Sequence, residues 1–480
     1  MAHFPKSDVS IVGAGASGVL LANALVRSET PIDVVLIDAR PGRGVAYGGS
    51  DPHHLLNTRV GNMSIDAPER SGFLDWLNIY RPRPEGWDVE DFAPRSLFGD
   101  YLEQRLANLA DRTPGLGVTR VVRSRAVAAE QSGDGWVVRT EGGERIQSET
   151  LVLATGLARP RPLLFHGRDA IEAFVQDDPW DDAALKGLPA GQDVLLVGSG
   201  LTALDVAAAI WRRHPETRIV AVSRHGLLPR VHASPAPSAP VLERPYPTTA
   251  RDLFGRLRAA AEFVEGDASL RHGVFLGLRE IGAELWAALP DDERLAFLRH
   301  FRRYWEVERH RAPPAQAETV SQAMADGRFE VVRGRLAEAR LPADGTAARV
   351  ALLGPNGPRA LTVGRVINCA GPEPDVFRSR NALLLDLLAQ GVAAADPLGL
   401  GLHVGDHSAV FGARGEPTEG LYALGPLTQG QLFEITSVAE IRVQAEQLAG
   451  LLLARQAARR APGLEAAPAL RAISPGAASS

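Results

Sequence analysis

The chain has 480 residues, 45% hydrophobic and 23% charged, with a formal net charge of −5. That length implies two to four domains with sizeable cores, and the slight acidity gives no reason to expect a nucleic-acid partner. No apolar run approaches the roughly 18 residues a membrane span needs, and the single cysteine, Cys369, excludes an intrachain disulfide, a redox dithiol and a cysteine-rich metal site.

The first strand is expected within about ten residues of Met1, which leaves no room for a signal peptide and points to the cytoplasm. Residues 9–38 read as strand ("VSIVGAG"), glycine turn, helix ("ASGVLLANALVRS") and strand ("IDVVLID"), a βαβ unit opening a parallel sheet. The turn is Gly13-x-Gly15-x-x-Gly18. Such glycines bring backbone close to a pyrophosphate at a helix N-terminus. Asp38 ends the second strand about 20 residues further on, where a carboxylate bonds ribose hydroxyls.

Residues up to "TLVLATG" (Thr150 to Gly156) alternate like a small antiparallel sheet with turns at Gly133, Gly135, Gly142 and Gly143. The Pro-rich "ARPRPLLFHG" then suits a crossing between domains. Residues 194–224 repeat the opening design with Gly198-x-Gly200-x-x-Ala203. This time the second strand ends in Ser223 and Arg224. A hydroxyl and a guanidinium favour a 2'-phosphate, where a carboxylate would repel it. The first loop therefore reads as the FAD site and the second as the NADPH site, the latter formed by Gly198, Ser199, Gly200, Thr202, Ala203, Ser223 and Arg224.

His232 to Thr249 carries too many prolines for regular structure. Helical patterning runs from Thr249 to Glu308, with Pro290 at a helix start and Leu298, Phe301 and Trp305 on one face. Residues 329–371 return to alternation and end in "RVINCAG". The unit "GLYALGPL" precedes a helix expected from Ile435 to about Ala454, and the Ala/Pro-rich end is expected to be flexible. The expected architecture is α/β, with two Rossmann-like three-layer domains and a helical insertion. Its boundaries are 1–160 with 329–454 for FAD, 161–233 for the NADPH core, 234–328 for the insertion and 455–480 for the tail.

The chain resembles the flavoproteins with two dinucleotide-binding domains. More narrowly, it is similar to the bacterial FAD/NAD(P)-binding group that neighbours the flavin-dependent N-hydroxylating and Baeyer–Villiger monooxygenases. The stretches "GRGVAYG", "HLLNTRVGNMS", "PRSLFGDYL", "WEVERHRAPP", "INCAGPEPD" and "LYALGPLTQG" carry the likeness. It implies that Gly13, Ala16, Ser17, Gly15, Gly18, Asp38, Ala39, Tyr47, Asn57, Met63, Val127, Thr155 and Gly156 lie along FAD. It also implies that Gly425, Pro426 and Leu427 present backbone to the isoalloxazine ring. The Baeyer–Villiger fingerprint is incomplete, because Ile171 stands where its histidine belongs and Trp180 falls too late.

Flavin reduced by NADPH can pass electrons to a dithiol, a separate acceptor or dioxygen. Cysteine content removes the first. The resemblance implies dioxygen, activated as a C4a-hydroperoxide that oxygenates a small substrate, for instance by N-hydroxylating an amine or amino acid. A reductase feeding a separate acceptor and a non-catalytic redox sensor are the alternatives. Asn57 is the candidate hydrogen-bond donor beside the flavin, although a turn asparagine bonding backbone fits equally. The basic run Arg299 to Arg311 reads either as a solvated, salt-bridged face or as a collector of anionic substrate or NADPH phosphates. Its last residues, Arg309, His310 and Arg311, are the candidate substrate contacts. No histidine group has the partners of a metal site.

Overall fold

The computed structural model describes residues 6–49, 51–110, 117–133, 135–181, 187–188, 191–233 and 242–460. Residues 234–241 of the proline-rich stretch, and the end of the chain from 461, lie outside them.

Strand β1 (Ser7–Val12) runs parallel to β2 (Val34–Ile37) on one side and β6 (Arg145–Leu153) on the other. Its continuous apolar character follows from burial on both faces. Strand β3 (Thr119–Val122) pairs parallel beside β2, and β16 (Pro417–Ala423) beside β6. Strand β15 (Ala409–Phe411) closes that edge antiparallel. Helices α1 (Ala16–Val26), α2 (Gly72–Tyr80) and α3 (Arg95–Ala110), with a long C-terminal helix, share one core through Leu20, Leu25, Phe73, Phe98, Leu102, Ile441 and Leu448. The other core is filled by the meander of β4 (Ala126–Ser132), β5 (Gly135–Thr140) and the start of β6. Trp136, Val138 and Ile146 meet Leu383 and Leu387 of another helix there.

The second sheet is wholly parallel, in the order β10 (Phe329–Arg333), β9 (Ile219–Ser223), β8 (Val194–Val197), β14 (Arg365–Asn368) and β7 (Val175–Gln176). Helix α4 (Leu201–Arg213) and the helix Pro314–Ala325 cover one face through Ala207, Ile210, Val320 and Ala323. Three antiparallel strands cover the other, namely β11 (Arg335–Arg340), β12 (Ala348–Gly354) and β13 (Gly357–Val363).

Between β9 and the helix Pro314–Ala325 stands the helical insertion. It comprises α5 (Ala250–Phe263), α6 (Ala268–Glu280), α7 (Gly282–Ala288), α8 (Asp291–His300) and α9 (Arg302–Arg309). Its own core joins Leu253, Leu257, Phe275, Leu278, Trp286, Phe297 and Trp305. Local chemistry starts each helix. Thr249 accepts from Asp252 N at the head of α5, Asp267 caps α6, and Pro290 precedes the acidic first turn of α8. In chain order the remaining helices are α10 (Pro314–Ala325), α11 (Ala382–Ala389), α12 (Gln429–Leu432) and α13 (Val438–Arg460).

Four expectations need correction. The stretch 329–368 does not rejoin the first sheet, since β10 and β14 pair with β9 and β8. Alternation reports a strand but not its partner. The insertion ends before α10, which packs on the second sheet. Leu298, Phe301 and Trp305 do not share one helix, because the chain breaks between α8 and α9 at Phe301 (φ −118°, ψ −24°). Finally, α13 begins at Val438 and runs to Arg460, past the expected start of the tail. Its last turns are anchored where Arg455 meets Glu419, Arg459 meets Glu149, and Gln456 and Arg460 meet Asp8.

The two chain crossings between the sheets lie side by side. Ala158 and Glu373 form an isolated bridge, with Glu373 N donating to Ala158 O at 3.3 Å.

Candidate cofactor and active site

The first loop is held by contacts that only glycine allows. Gly13 has φ +100°, and a Cβ there would stand 2.3 Å from Ala154 O. A Cβ on Gly18 would stand 2.0 Å from Gly13 O, and one on Gly15 would stand 3.3 Å from Gly44 Cα. Helix α1 starts from an extended N-cap at Gly15 (φ −78°, ψ −163°) with no side-chain cap and no acid in its first turn. Its free N–H groups and dipole end are therefore uncompensated, which suits an anion. Asp38 is fixed at the edge of this loop. Its Oδ2 accepts from Ala14 N and its Oδ1 from Arg40 N, each at 2.8 Å. Ala39 beside it is exposed.

Other residues of the expected FAD set border this loop or lie further off. Thr155, whose Cα lies 3.0 Å from a Gly13 Cβ position, has a buried Oγ1 with no hydrogen-bond partner, and Gly156 follows at φ +68°. Gly425, at φ +72°, presses on α1, because a Cβ there would stand 2.4 Å from Ser17 Oγ. The unit containing Pro426 and Leu427 is thus brought onto Ala16 and Ser17 at the head of that helix. Gly425 N is not free for a ligand, since it donates to Gln444 Oε1 at 2.8 Å. Gln444 also donates to Ser408 and to Thr428, each at 3.0 Å. Tyr47 packs edge-on to Phe98 at 4.8 Å, and burial raises its hydroxyl pKa. Met63 is a core residue at the end of a short turn, and Val127 sits in the β-bulge of β4. The orphaned Thr155 hydroxyl, the glycine cradle and the fixed Asp38 fit an adenine dinucleotide with free ribose hydroxyls.

The second loop repeats the design. Gly198 has φ +120°, and a Cβ there would stand 2.2 Å from Cys369 O. Helix α4 starts from an N-cap at Gly200 (φ −84°, ψ −169°), again uncapped and without a first-turn acid. Thr202 follows in its first turn, and Ala203 is fully buried against the sheet. Ser199 Oγ meets Ser223 Oγ at 2.8 Å and donates to Leu227 O at 2.6 Å. Ser223 also accepts from Gly226 N, so its hydroxyl is committed to the loop. Arg224 is exposed beside it.

Arg224 has company that sequence patterning misses. Arg333 ends β10 in register with Ser223, and its Cβ lies 3.1 Å from a Gly226 Cβ position. Among the described residues neither Arg224 nor Arg333 forms an ion pair. Burial and the charges of Arg224, Arg303 and Arg333 lower the pKa of His225 between them. No carboxylate stands where Asp38 stands in the first loop. Only the pairing of β9 with β10 reveals Arg333, whereas Arg303 lies within the basic run noted in the sequence.

The first and second domains meet through charged side chains. Arg95, at the head of α3, lies 3.4 Å from Asp205 of α4, and Arg213 lies 2.9 Å from Asp51. Burial, against Arg95 and Gln316, raises Asp205 to about 6. Asn57 lies at this junction with its carbonyl accepting from His232 Nε2 at 2.9 Å. Burial lowers His232 to about 3 and its neighbour His272 to about 4, so both are neutral imidazoles.

The three substrate candidates divide. Arg311 is buried with Glu308, on which Arg271 and Arg230 also converge, and burial lowers it to about 10. Arg309 is bidentate on one oxygen of Glu434, at 2.9 and 3.1 Å, and Trp305 Nε1 donates to the other at 2.6 Å. Burial alone would raise Glu434, but Arg309, His310 and Trp305 outweigh it and hold it ionised. His310 is lowered by burial. Arg309 and Arg311, expected as substrate contacts, are therefore engaged instead, Arg309 in a pair with Glu434 and Arg311 in a cluster of three arginines around Glu308. Cys369 is buried and its pKa raised by burial, which makes it inert. Among the described residues no group of side chains could hold a metal ion, and no helix is long and apolar enough to cross a membrane.

Residues 10–158 match the family described as FAD-NAD(P)-binding. The chain is 23% identical over 337 residues to the protein YdhS of Escherichia coli (strain K12), a match spanning 64% of this chain and 60% of that protein, less than two thirds of its length. It is 28% identical over 366 residues to an FAD-dependent urate hydroxylase of Xanthomonas campestris pv. campestris, spanning 66% of this chain and 73% of that one. Among solved structures, the ornithine N-hydroxylase of Kutzneria sp. 744 is similar in fold. It is 17% identical, with a TM-score of 0.63, covering 94% of this chain and 100% of that one.

Proposed function

We propose that this protein is an FAD-containing monooxygenase that is reduced by NADPH and oxygenates a small substrate, with N-hydroxylation of an amine or amino acid as its reaction. The observation that carries the reading is the contrast between its two loops. One glycine cradle is edged by the fixed carboxylate of Asp38, the other by Arg224 and Arg333, which have no ion-pair partner among the described residues. Such a pair suits a flavin nucleotide with free ribose hydroxyls and a phosphorylated nicotinamide nucleotide.

Flavin, when bound, would supply hydride acceptance and oxygen activation. The chain's own residues hold and enclose it. Gly13, Gly15 and Gly18 admit the pyrophosphate, Asp38 orients the ribose, and Gln444 fixes the turn at Gly425. Buried Cys369 offers no thiol route for electrons. The insertion, packed on the segment after Gly425, supplies a wall that excludes water. Similarity to an ornithine N-hydroxylase supports an amine substrate, and similarity to a urate hydroxylase supports oxygenation more broadly.

The test is anaerobic reduction of the yellow protein with NADPH, followed by oxygen with and without candidate amines. Hydroxylated product formed in step with NADPH use is the expected result. Slow reoxidation without product, beside rapid turnover with quinones or ferredoxin-like proteins, would replace the reading with a reductase. No reduction by NADPH would leave a redox sensor.

A further inference from the structure

Helix α9 reaches from the second glycine loop to the segment that follows the Gly425 turn. At one end, Arg303 Nη2 lies 3.1 Å from Leu227 O and 3.4 Å from Ser199 Oγ, over the second loop. Its Nη1 lies 3.9 Å from a Gly200 Cβ position, beside the uncapped start of α4. A carbonyl and a hydroxyl orient a guanidinium without neutralising it. Glu306 stands 3.6 Å from Arg303 but is committed to Arg302 at 2.8 Å. Arg303 is thus a fixed, only partly offset cation where the loop admits phosphate.

At the other end of the same helix, Trp305 and Arg309 grip Glu434. Glu434 directly follows Phe433, a non-glycine residue at φ +36°, whose ring stacks on Trp286 at 4.4 Å. Trp286 Nε1 in turn donates to Gly430 O at 2.7 Å. These contacts clamp the stretch that continues from Gly425 to Leu427. Arg303 and Arg309 are separated by roughly 9 Å of helix, short enough to move as one rod.

We propose that α9 couples the two cofactor sites, with Arg303 taking a phosphate oxygen of the dinucleotide at the second loop and the Arg309–Glu434 pair passing its occupancy to the turn at Gly425. The proposal rests on assigning the second loop to NADPH and the Gly425 turn to the flavin. Arg303 is the contact residue, and Glu434 and Arg309 are positioning residues.

The experiment titrates NADP⁺ and NAD⁺ into the FAD-loaded protein by calorimetry, for wild type, Arg303→Ala, Arg303→Lys, Glu434→Gln and Arg309→Lys. Loss of a charge-assisted bond should weaken binding about tenfold or more in Arg303→Ala, with partial rescue in Arg303→Lys. Equal weakening of both nucleotides assigns the contact to the pyrophosphate, and weakening of NADP⁺ alone assigns it to the 2'-phosphate. Wild-type affinity for both in Arg303→Ala would overturn the contact. A wild-type protein that binds neither nucleotide would instead remove the assignment of the loop. For the coupling, hydrogen exchange at residues 425–437 should slow on NADP⁺ binding in wild type. It should not respond in Glu434→Gln or Arg309→Lys, although both bind NADP⁺ normally. An undiminished response in folded, FAD-loaded variants of both would overturn the coupling.

Discussion

Replacing Arg224 and Arg333 together with alanine should abolish most of the preference for NADPH over NADH. Both residues lie at the ends of β9 and β10, and among the described residues neither is paired with a carboxylate. A charge-assisted hydrogen bond contributes roughly 1.5–3 kcal/mol, and because both arginines are exposed, screening reduces that to about 1 kcal/mol each. Removing both should cost about 2 kcal/mol of NADPH affinity, close to 30-fold in Kd. NADH, which lacks the 2'-phosphate, should change by no more than about twofold, since the glycine cradle of Gly198 and Gly200 is untouched. Equilibrium titrations at two ionic strengths give the check. Wild-type preference should shrink as salt rises, and the variant should show little salt response. An equal loss for both nucleotides, or a preference that survives the double replacement, would refute the phosphate assignment.

Three further outcomes are expected. Gly18→Ala should yield colourless protein, because its Cβ would meet the Gly13 carbonyl at 2.0 Å, whereas Ala203→Gly at the matching position of the second loop should retain NADP⁺ binding by calorimetry. Asp205 has its pKa raised to about 6 by burial, so the folded chain holds a proton that the unfolded chain has released. Its contribution to stability is therefore complete below about pH 4 and is lost as pH rises through about 6. Relative to Asp205→Asn, wild type should lose about 1.4 kcal/mol between pH 5 and pH 8, and a pH-independent difference in thermal midpoints would contradict this. Cys369 should resist iodoacetamide in the native protein at pH 8 and react only on unfolding, as mass spectrometry would show; prompt native alkylation would place it outside the core.

Both dinucleotide loops were legible because each needs its residues close together in sequence. Glycines, helix and terminal carboxylate or arginine all fall within one βαβ unit. What crosses between units was not legible. Arg333 joins the second site only because β10 pairs with β9, more than a hundred residues away in the chain. The same long-range pairing placed 329–368 in the second sheet. Arg309 and Arg311 read as substrate contacts because Glu434 is far along the chain, and because nothing in "WEVERHR" says that Glu308 turns inward to meet three arginines. Gln444, the residue that occupies the Gly425 amide, carries no motif at all, since its meaning comes from α13 passing behind the turn.

The side-by-side crossings have a mechanical consequence. Gly13 rests on Ala154 and Thr155, and Gly198 rests on Cys369 and Ala370. A few residues on, those two strands become the strap joined at Ala158 and Glu373. The backbone that forms the floor beneath each glycine loop therefore runs directly into the strap between the two sheets, so a side chain too large for either floor would also displace the bridge at Ala158 and Glu373.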